Sequence, residues 1–311
     1  MKKLVQISAA AALAAMLGLT ACSGGDTGGT ATPSADPATQ VTSGIDEAAA
    51  AALPESIRES GVIRAAAGIP YPPFIMLDGE TQSGLDPDLA QALGEKLGVE
   101  FKISHQAFET VIPSLQAKKF DIIMSGMNDT IEREATLNFI EEIYAGFTIV
   151  VKQGNPEGIT GLDDLCGHPV AVQKASAQLE LLNELAATCK AEGKGELVIQ
   201  QLPTAQDPQT ALKAGRVVAY PVDAPVAAYT VATAGDGKDF EMVDDPEFPA
   251  GINPVYTGIG TLKENTELTE ALRLALQALI EEGVYQDILD THNLGKFATD
   301  EAIVNGASTE G

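Results

Sequence analysis

Two periods of apolar residues alternate along the chain from residue 62 onward. Short runs read as strands, and stretches with apolar residues three or four apart read as helices. Val62–Ala67, Val99–Ser104 and Phe120–Met124 are predicted strands. Asp86–Gly98 and Glu109–Lys118 are predicted helices, and Ile45–Ser60 is a helical lead-in. Asp86-Pro87 supplies an N-cap and a first-turn proline, Leu89, Leu93 and Leu97 form the stripe, and Gly98 stops the helix. A second series opens near Leu162. Its strands are Pro169–Gln173, Leu197–Leu202 and Val217–Pro221, and its helices lie at 174–193, 207–215 and 224–234. Long apolar strands, Ile143–Lys152 and Val255–Leu262, bracket this series. An amphipathic helix through Leu268, Leu272, Ala275, Leu276, Leu279 and Ile280, stopped by Gly283, and a helix at Val284–His292 complete the pattern.

Strand–helix alternation of this kind predicts parallel α/β layers. The two long strands would carry the chain out to a second lobe and back. That divides it into lobe one, 46–147 with 255–298, lobe two, 148–254, and a polar, poorly patterned tail, 299–311, expected to be flexible. Ligand sites in such sheets lie at the C-terminal ends of strands. The loops so placed are Gly68–Phe74, Ser125–Arg133, Gln173–Gln178 and Pro221–Asp223.

One of these loops carries a charge that needs a reason. The strand Phe120–Met124 is expected to break at Ser125-Gly126 and turn into a short helix. Asp129 and Thr130 could each cap it, and Glu132 stands at capping-box distance from Asp129. Arg133 then falls where the helix dipole is already positive. An anion in front of free N–H groups and a forked guanidinium would account for it. A solvated arginine on a plain strand-to-helix turn is the alternative.

Composition narrows the class. Acidic residues outnumber basic ones 44 to 19 in 311 residues, for a net charge of −25. That balance argues against a nucleic-acid partner, which needs basic surface. Met1-Lys2-Lys3 and the apolar run to Leu19 read as a secretory signal, residues 1–21. Leu19-Thr20-Ala21-Cys22 resembles the bacterial lipobox, so Cys22 is expected to carry lipid and anchor the chain to a membrane. An ordinary signal peptide with an incidental cysteine is the alternative. Segment 22–45 holds that cysteine and a Gly/Ser/Thr/Ala/Pro-rich tether with a reach of roughly 25 Å. Cys166 and Cys189, an even pair in an exported chain, suggest a disulfide; two buried thiols are the alternative. His105, His168 and His292 show no metal spacing, and neither a nucleophile elbow nor a complete dinucleotide loop occurs. No metal, cofactor or catalytic residue is therefore expected.

Several ordered motifs then coincide: Y-P-P-F at 71–74, G-L-D-P-D-L-A at 84–90, I-P-S-L-Q-A-K-K-F-D at 112–121, S-G-M-x-x-T-x-E-R at 125–133, D-L-C-G-x-P-V-A-V-Q at 164–173, and A-G-R-V-x-A-x-x-x-D-x-P-V-A-A-Y at 214–229. Together, from about Asp46 to Leu294, the chain resembles the bacterial extracellular solute-binding proteins of family 3. The resemblance implies the two-lobe type II periplasmic-binding-protein fold. It implies an amino-acid ligand, an ABC-importer permease as partner, an extracytoplasmic monomer and no enzymatic activity. By resemblance Arg133 would hold the ligand α-carboxylate, joined by Ser125, Gly126 and Asn128. Ser176 and Ala177 would add N–H groups from lobe two. Asp223 would take the α-ammonium, Tyr71 and Phe108 would sandwich the side chain, and Gln173 would line the cleft. Gly68 stands where receptors for basic amino acids often hold an acid, Asn128 where serine or threonine is usual, and Asp129 where an apolar residue is usual. Glycine at 68 weakens the case for a cationic side chain; the expected ligand is a polar L-amino acid or a close derivative, its identity left open. A ligand sensor serving a signalling partner and a dehydratase-like enzyme on the same fold are the competing functions.

Overall fold

The structure is a computed structural model of the chain, and it describes residues 44–243 and 251–309. The predicted signal peptide, Cys22 and nearly all of the tether lie outside the described residues. In chain order the strands are β1 (Val62–Ala67), β2 (Met76–Asp78), β3 (Thr81–Ser83), β4 (Glu100–His105), β5 (Ile122–Asn128), β6 (Leu137–Lys152), β7 (Pro169–Gln173), β8 (Val198–Leu202), β9 (Ala219–Asp223), β10 (Phe240–Met242) and β11 (Ile252–Leu262). The helices are α1 (Glu47–Ala52), α2 (Glu55–Ser60), α3 (Leu85–Leu97), α4 (Val111–Gln116), α5 (Ile131–Glu134), α6 (Ala177–Glu192), α7 (Gln206–Lys213), α8 (Ala224–Thr233), α9 (Thr266–Glu281), α10 (Val284–Thr291) and α11 (Gly306–Thr309).

Nine strands form one sheet, in the order β4-β1-β5-β11-β6-β9-β7-β8, with β10 also beside β6. β1 pairs in parallel with β4 and β5, and β7 in parallel with β8 and β9. β11 is antiparallel to both β5 and β6, and β6 is antiparallel to β9. β5 therefore runs along β6, and β9 runs against it. This topology points the C-terminal ends of the two parallel sets toward each other, which is where side chains can converge on one ligand. Buried apolar residues gather into separate cores on either side. One side is built on Leu89, Leu93, Leu272, Leu276, Phe139 and their neighbours, the other on Leu165, Val170, Leu182, Val150 and Phe240. These sides are called lobe one and lobe two below.

Local chemistry explains where the elements depart from expectation. The lead-in is two helices, because Pro54 has no N–H to continue α1 and instead begins α2. β5 does not break at Ser125-Gly126 but runs to Asn128. Thr130, not Asp129, caps α5, its side chain accepting the Arg133 N–H at 3.3 Å. β6 begins at Leu137, well before Ile143, and its first half has one edge that β9 does not reach. The tail fills that edge. Val304 bridges Ile140 in antiparallel fashion, the Glu141 N–H donates to Ile303 O at 3.1 Å, and Asn305 N–H donates to Phe139 O at 3.1 Å. Within the expected flexible tail, Thr299 and residues 302–308 are instead bonded to lobe one.

Cys166 and Cys189 form a disulfide, with Cα atoms 5.5 Å apart, tying the start of β7 to the last turn of α6. A loop of this length is worth about 3 kcal/mol in the chain-entropy account. Replacing both cysteines by serine is expected to lower Tm by roughly 6–12 °C. Calorimetry of the variant beside the oxidised protein checks this; equal melting would show that the bond constrains nothing.

Candidate functional site

Between the lobes lies a cavity of about 20 Å³ lined by Gly68, Tyr71, Phe108, Ser125, Gly126, Asn128, Gln173, Ser176, Gln178, Ala205 and Asp223. By the same kind of measure this is room for about one water molecule. Eight of the ten expected ligand residues line it. Arg133 and Ala177 stand just outside: Ala177 is buried at the start of α6, and Arg133 is buried in α5.

Each wall is built by a strand end. Gly68 follows β1, and its N–H donates to Ser125 Oγ at 2.9 Å. Gly126 holds φ at +54°, and a Cβ there would meet the Phe74 ring at 2.9 Å and Tyr71 at 3.0 Å, so only glycine lets β5 pass so close beneath the aromatics. Tyr71 stacks on Phe74 with ring centroids 5.5 Å apart. The expected sandwich of Tyr71 and Phe108 is thus two cleft walls, one of them already stacked on a core ring. Ser176 caps α6 through its side chain, accepting the Leu179 N–H.

The electrostatics centre on two buried groups. Asp223, at the end of β9, accepts from the Tyr71 hydroxyl, from Asn128 Nδ2 at 2.8 Å and from Gln178 Nε2 at 3.2 Å. All three donors are neutral. Burial pushes its carboxyl above the ordinary range, and the Tyr71 and Asn128 hydrogen bonds pull it back. Burial, then the Asp223 charge, pushes the Tyr71 phenol well above its usual value. Arg133 is 7% exposed and donates to two carbonyls, Asn128 O at 2.5 Å and Ala175 O at 2.8 Å. Its guanidinium lies 5.9 Å from the Phe108 ring centroid. Burial lowers its pKa, with Glu180 and Asp223 opposing.

Several of these bonds join the lobes: Tyr71 and Asn128 to Asp223, Arg133 to Ala175, and Gln206 Nε2 to Pro70 O at 2.6 Å. Sequence reasoning missed Gln178, Ala205 and Gln206. Gln178 fell inside a loop that was singled out, but nothing marks a glutamine on a first helical turn as a cleft donor. Ala205 and Gln206 follow β8, a strand end that the same topological rule covers. His105 takes the Ile69 N–H at 3.2 Å and His292 lies 2.7 Å from Asp88, so both are satisfied structurally.

A two-lobed α/β body with its polar residues gathered at facing strand ends is the architecture shared by solute-binding proteins. The profile of the bacterial extracellular solute-binding proteins, family 3, matches residues 63–295, about three quarters of the chain. The chain belongs to that family, and its fold is that of type II periplasmic binding proteins. It is 33% identical over 257 residues to the arginine-binding protein ArgT of Corynebacterium glutamicum, covering 82% of each. It is 30% identical to the lysine/arginine/ornithine-binding periplasmic protein of Escherichia coli, over 76% of this chain and 86% of that one. Among solved structures it matches the amino-acid transporter binding protein AbpA of Streptococcus pneumoniae bound to L-arginine, with a TM-score of 0.67, 25% identity, and coverage of 79% of this chain and 100% of that one.

Beneath the cleft in lobe one lie two further acids, Asp86 and Glu142, both fully buried. Neither oxygen of Glu142 has a hydrogen-bond partner among the described residues. Burial pushes the Asp86 carboxyl up to about 7, the Gly126 amide acting the other way. Burial, then Asp86, pushes Glu142 well above the carboxylate range. A carboxyl that holds its proton more tightly when folded stabilises the fold at low pH. That stabilisation is complete below the unfolded value of about 4 and is lost as pH rises through about 7. Tm is therefore expected to fall between about pH 4 and about pH 7, and Asp86→Asn should flatten the fall. An Asp86→Asn profile parallel to wild type would rule out this origin.

Proposed function

We propose that the chain binds an L-amino acid between its lobes and that closure around it is what an ABC-importer permease reads. The observation that carries this reading is the pairing of Arg133 and Asp223. One buried cation just outside the cavity and one buried anion lining it stand on opposite lobes, and they bond not to each other but to neutral groups. A zwitterion fits that arrangement. Its carboxylate would go to Arg133, Gly126 and the N–H groups at Ser176 and Ala177. Its ammonium would go to Asp223, displacing the Tyr71 and Asn128 donors that now span the lobes.

The cavity is far smaller than an amino acid, so the lobes must part for entry. β6 and β11, which cross from one lobe to the other, are the hinge. A ligand touching both lobes binds the closed form better than the open one, and only that difference shifts the equilibrium. The relatives named for arginine, and for lysine, arginine and ornithine, put basic amino acids first among those to test. Asp223 is the one carboxylate lining the cavity among the described residues. The ligand side chain would then rest on Tyr71 and Phe108, Gln173 and Ser125 flanking it.

Removing one member of a buried charge pair typically costs about 2–5 kcal/mol. Arg133→Ala and Asp223→Ala are therefore each expected to weaken binding by roughly 30-fold to several-thousand-fold. Arg133→Lys should also be poor, since a point charge does not replace the fork. Thermal-shift screening of the twenty amino acids identifies the ligand, and calorimetry reads the variants. Binding to Arg133→Ala within about threefold of wild type would overturn the anchoring scheme.

We further propose that Cys22 is lipidated and holds the body at the outer face of the cell membrane. The small residues before it and the tether after it support this. Cys22→Ala should release the protein or leave it unprocessed in cell fractionation; a processed, membrane-retained variant would contradict it.

A further inference from the structure

The family match ends at residue 295, and the segment beyond it does something specific. Three consecutive backbone N–H groups each take one carboxylate: Gly306 donates to Glu141 at 2.9 Å, Ala307 to Asp129 at 3.1 Å, and Ser308 to Glu134 at 3.0 Å. All three acids are buried, Asp129 and Glu141 completely. Asp129 follows directly on Asn128, and Glu134 follows directly on Arg133. Of these acids Asp129 acts directly on the charge of Arg133, the residue that the proposed function assigns to the ligand carboxylate.

Arg133 is set among acids. Glu180, Asp223, Asp129 and Glu132 all act on its charge, yet none of the guanidinium hydrogen bonds goes to a carboxylate. An arginine bound to an internal carboxylate is lost as an anion site. Asp129 is the acid nearest in sequence that could claim it. What keeps Asp129 away is the Ala307 amide on one of its oxygens, with the Glu141 carboxyl as a further neighbour. Glu134 is held likewise by Ser308. Burial raises both Asp129, to about 7, and Glu141; the Glu141 hydrogen bond acts the other way on Asp129, the Asp129 charge raises Glu141 further, and one proton serves the pair.

The segment is itself held firmly. It pairs with β6 through Val304, and Asn305 Oδ1 accepts the Phe139 N–H at 2.9 Å. Gly306 lies so close to Tyr256 that a Cβ there would come within 2.2 Å of the ring. We infer that residues Val304–Ser308 are a positioning element for the ligand site: by occupying Asp129 and Glu134 they keep Arg133 free for an external carboxylate. This rests on the reading of Arg133 given under the proposed function.

Two variants test it, a chain ending at Ala302 and full-length Gly306→Val, which dislodges the segment without removing it. A crystal structure of Gly306→Val grown without amino acid decides the point independently of ligand identity. Arg133 paired with Asp129 or Glu134 supports the inference; Arg133 still on the Asn128 and Ala175 carbonyls overturns it. Calorimetry with L-arginine adds the functional readout. Both variants are expected to bind at least about tenfold more weakly than wild type. Asp129→Asn with Glu134→Gln, introduced into the shortened chain, should recover most of that loss. Affinity within about threefold of wild type in both variants, or a loss that the acid replacements do not rescue, would overturn it. If wild type takes no amino acid at all, the proposed function fails while the crystallographic arm still decides the inference.

Discussion

The molecule depends on the cost of burying charge. Arg133 and Asp223 sit out of water on opposite lobes, and an isolated ion in such a place is stable only when hydrogen bonds replace its hydration. Each is given that replacement from the other lobe as well as its own. Asp223 is served by Tyr71, Asn128 and Gln178, and Arg133 by the carbonyls of Asn128 and Ala175. Asn128 serves both, its side-chain amide on the anion and its backbone carbonyl on the cation. The lobes are therefore held together by the same groups that the proposed ligand would claim, and on that proposal binding would be an exchange of partners more than a gain of them.

Much of this was legible in the sequence. The parallel strands came from apolar runs bounded by helical stretches. Asking which loops follow strand ends reached the loops that hold Tyr71, Asn128 and Asp223, and the family resemblance picked out those residues within them. Arg133 drew attention because a cation in a first helical turn opposes the dipole. What stayed hidden has a common cause. Asn138, Glu141 and Glu142 interrupt the apolar run that opens β6, so the strand was read from Ile143 instead of Leu137. Two of those polar residues, Asn138 and Glu141, are partnered by Asn305 and Gly306 from far along the chain, and Asn138 also by Lys263 and Thr269. A tail with no apolar pattern reads as flexible; its hold comes from backbone amides, which every sequence has. Asp129 looked like a helix cap for the same reason, its true partner lying 178 residues away.

The open edge of β6 places this segment in the sheet as well as beside the site. Unpaired strand edges invite pairing with other chains. Here one edge is divided between β9 in lobe two and residues 303–305 in lobe one. The structure thus uses a short, otherwise unremarkable stretch for two ends at once, covering an edge and quieting a cluster of acids.

The way β5 finds its neighbour carries a consequence for how the protein comes into being. Asn128 pairs with Thr257, 129 residues later, and Ile140 with Val304, later still. During synthesis the first strands of lobe one emerge with no partner on that side, while all of lobe two is made between them. Contacts so distant in sequence are slow to form, because a long loop must close first. Lobe two can therefore mature while lobe one is still incomplete. Lobe one, made first, is finished last, because its central strands wait for residues made after the whole of lobe two.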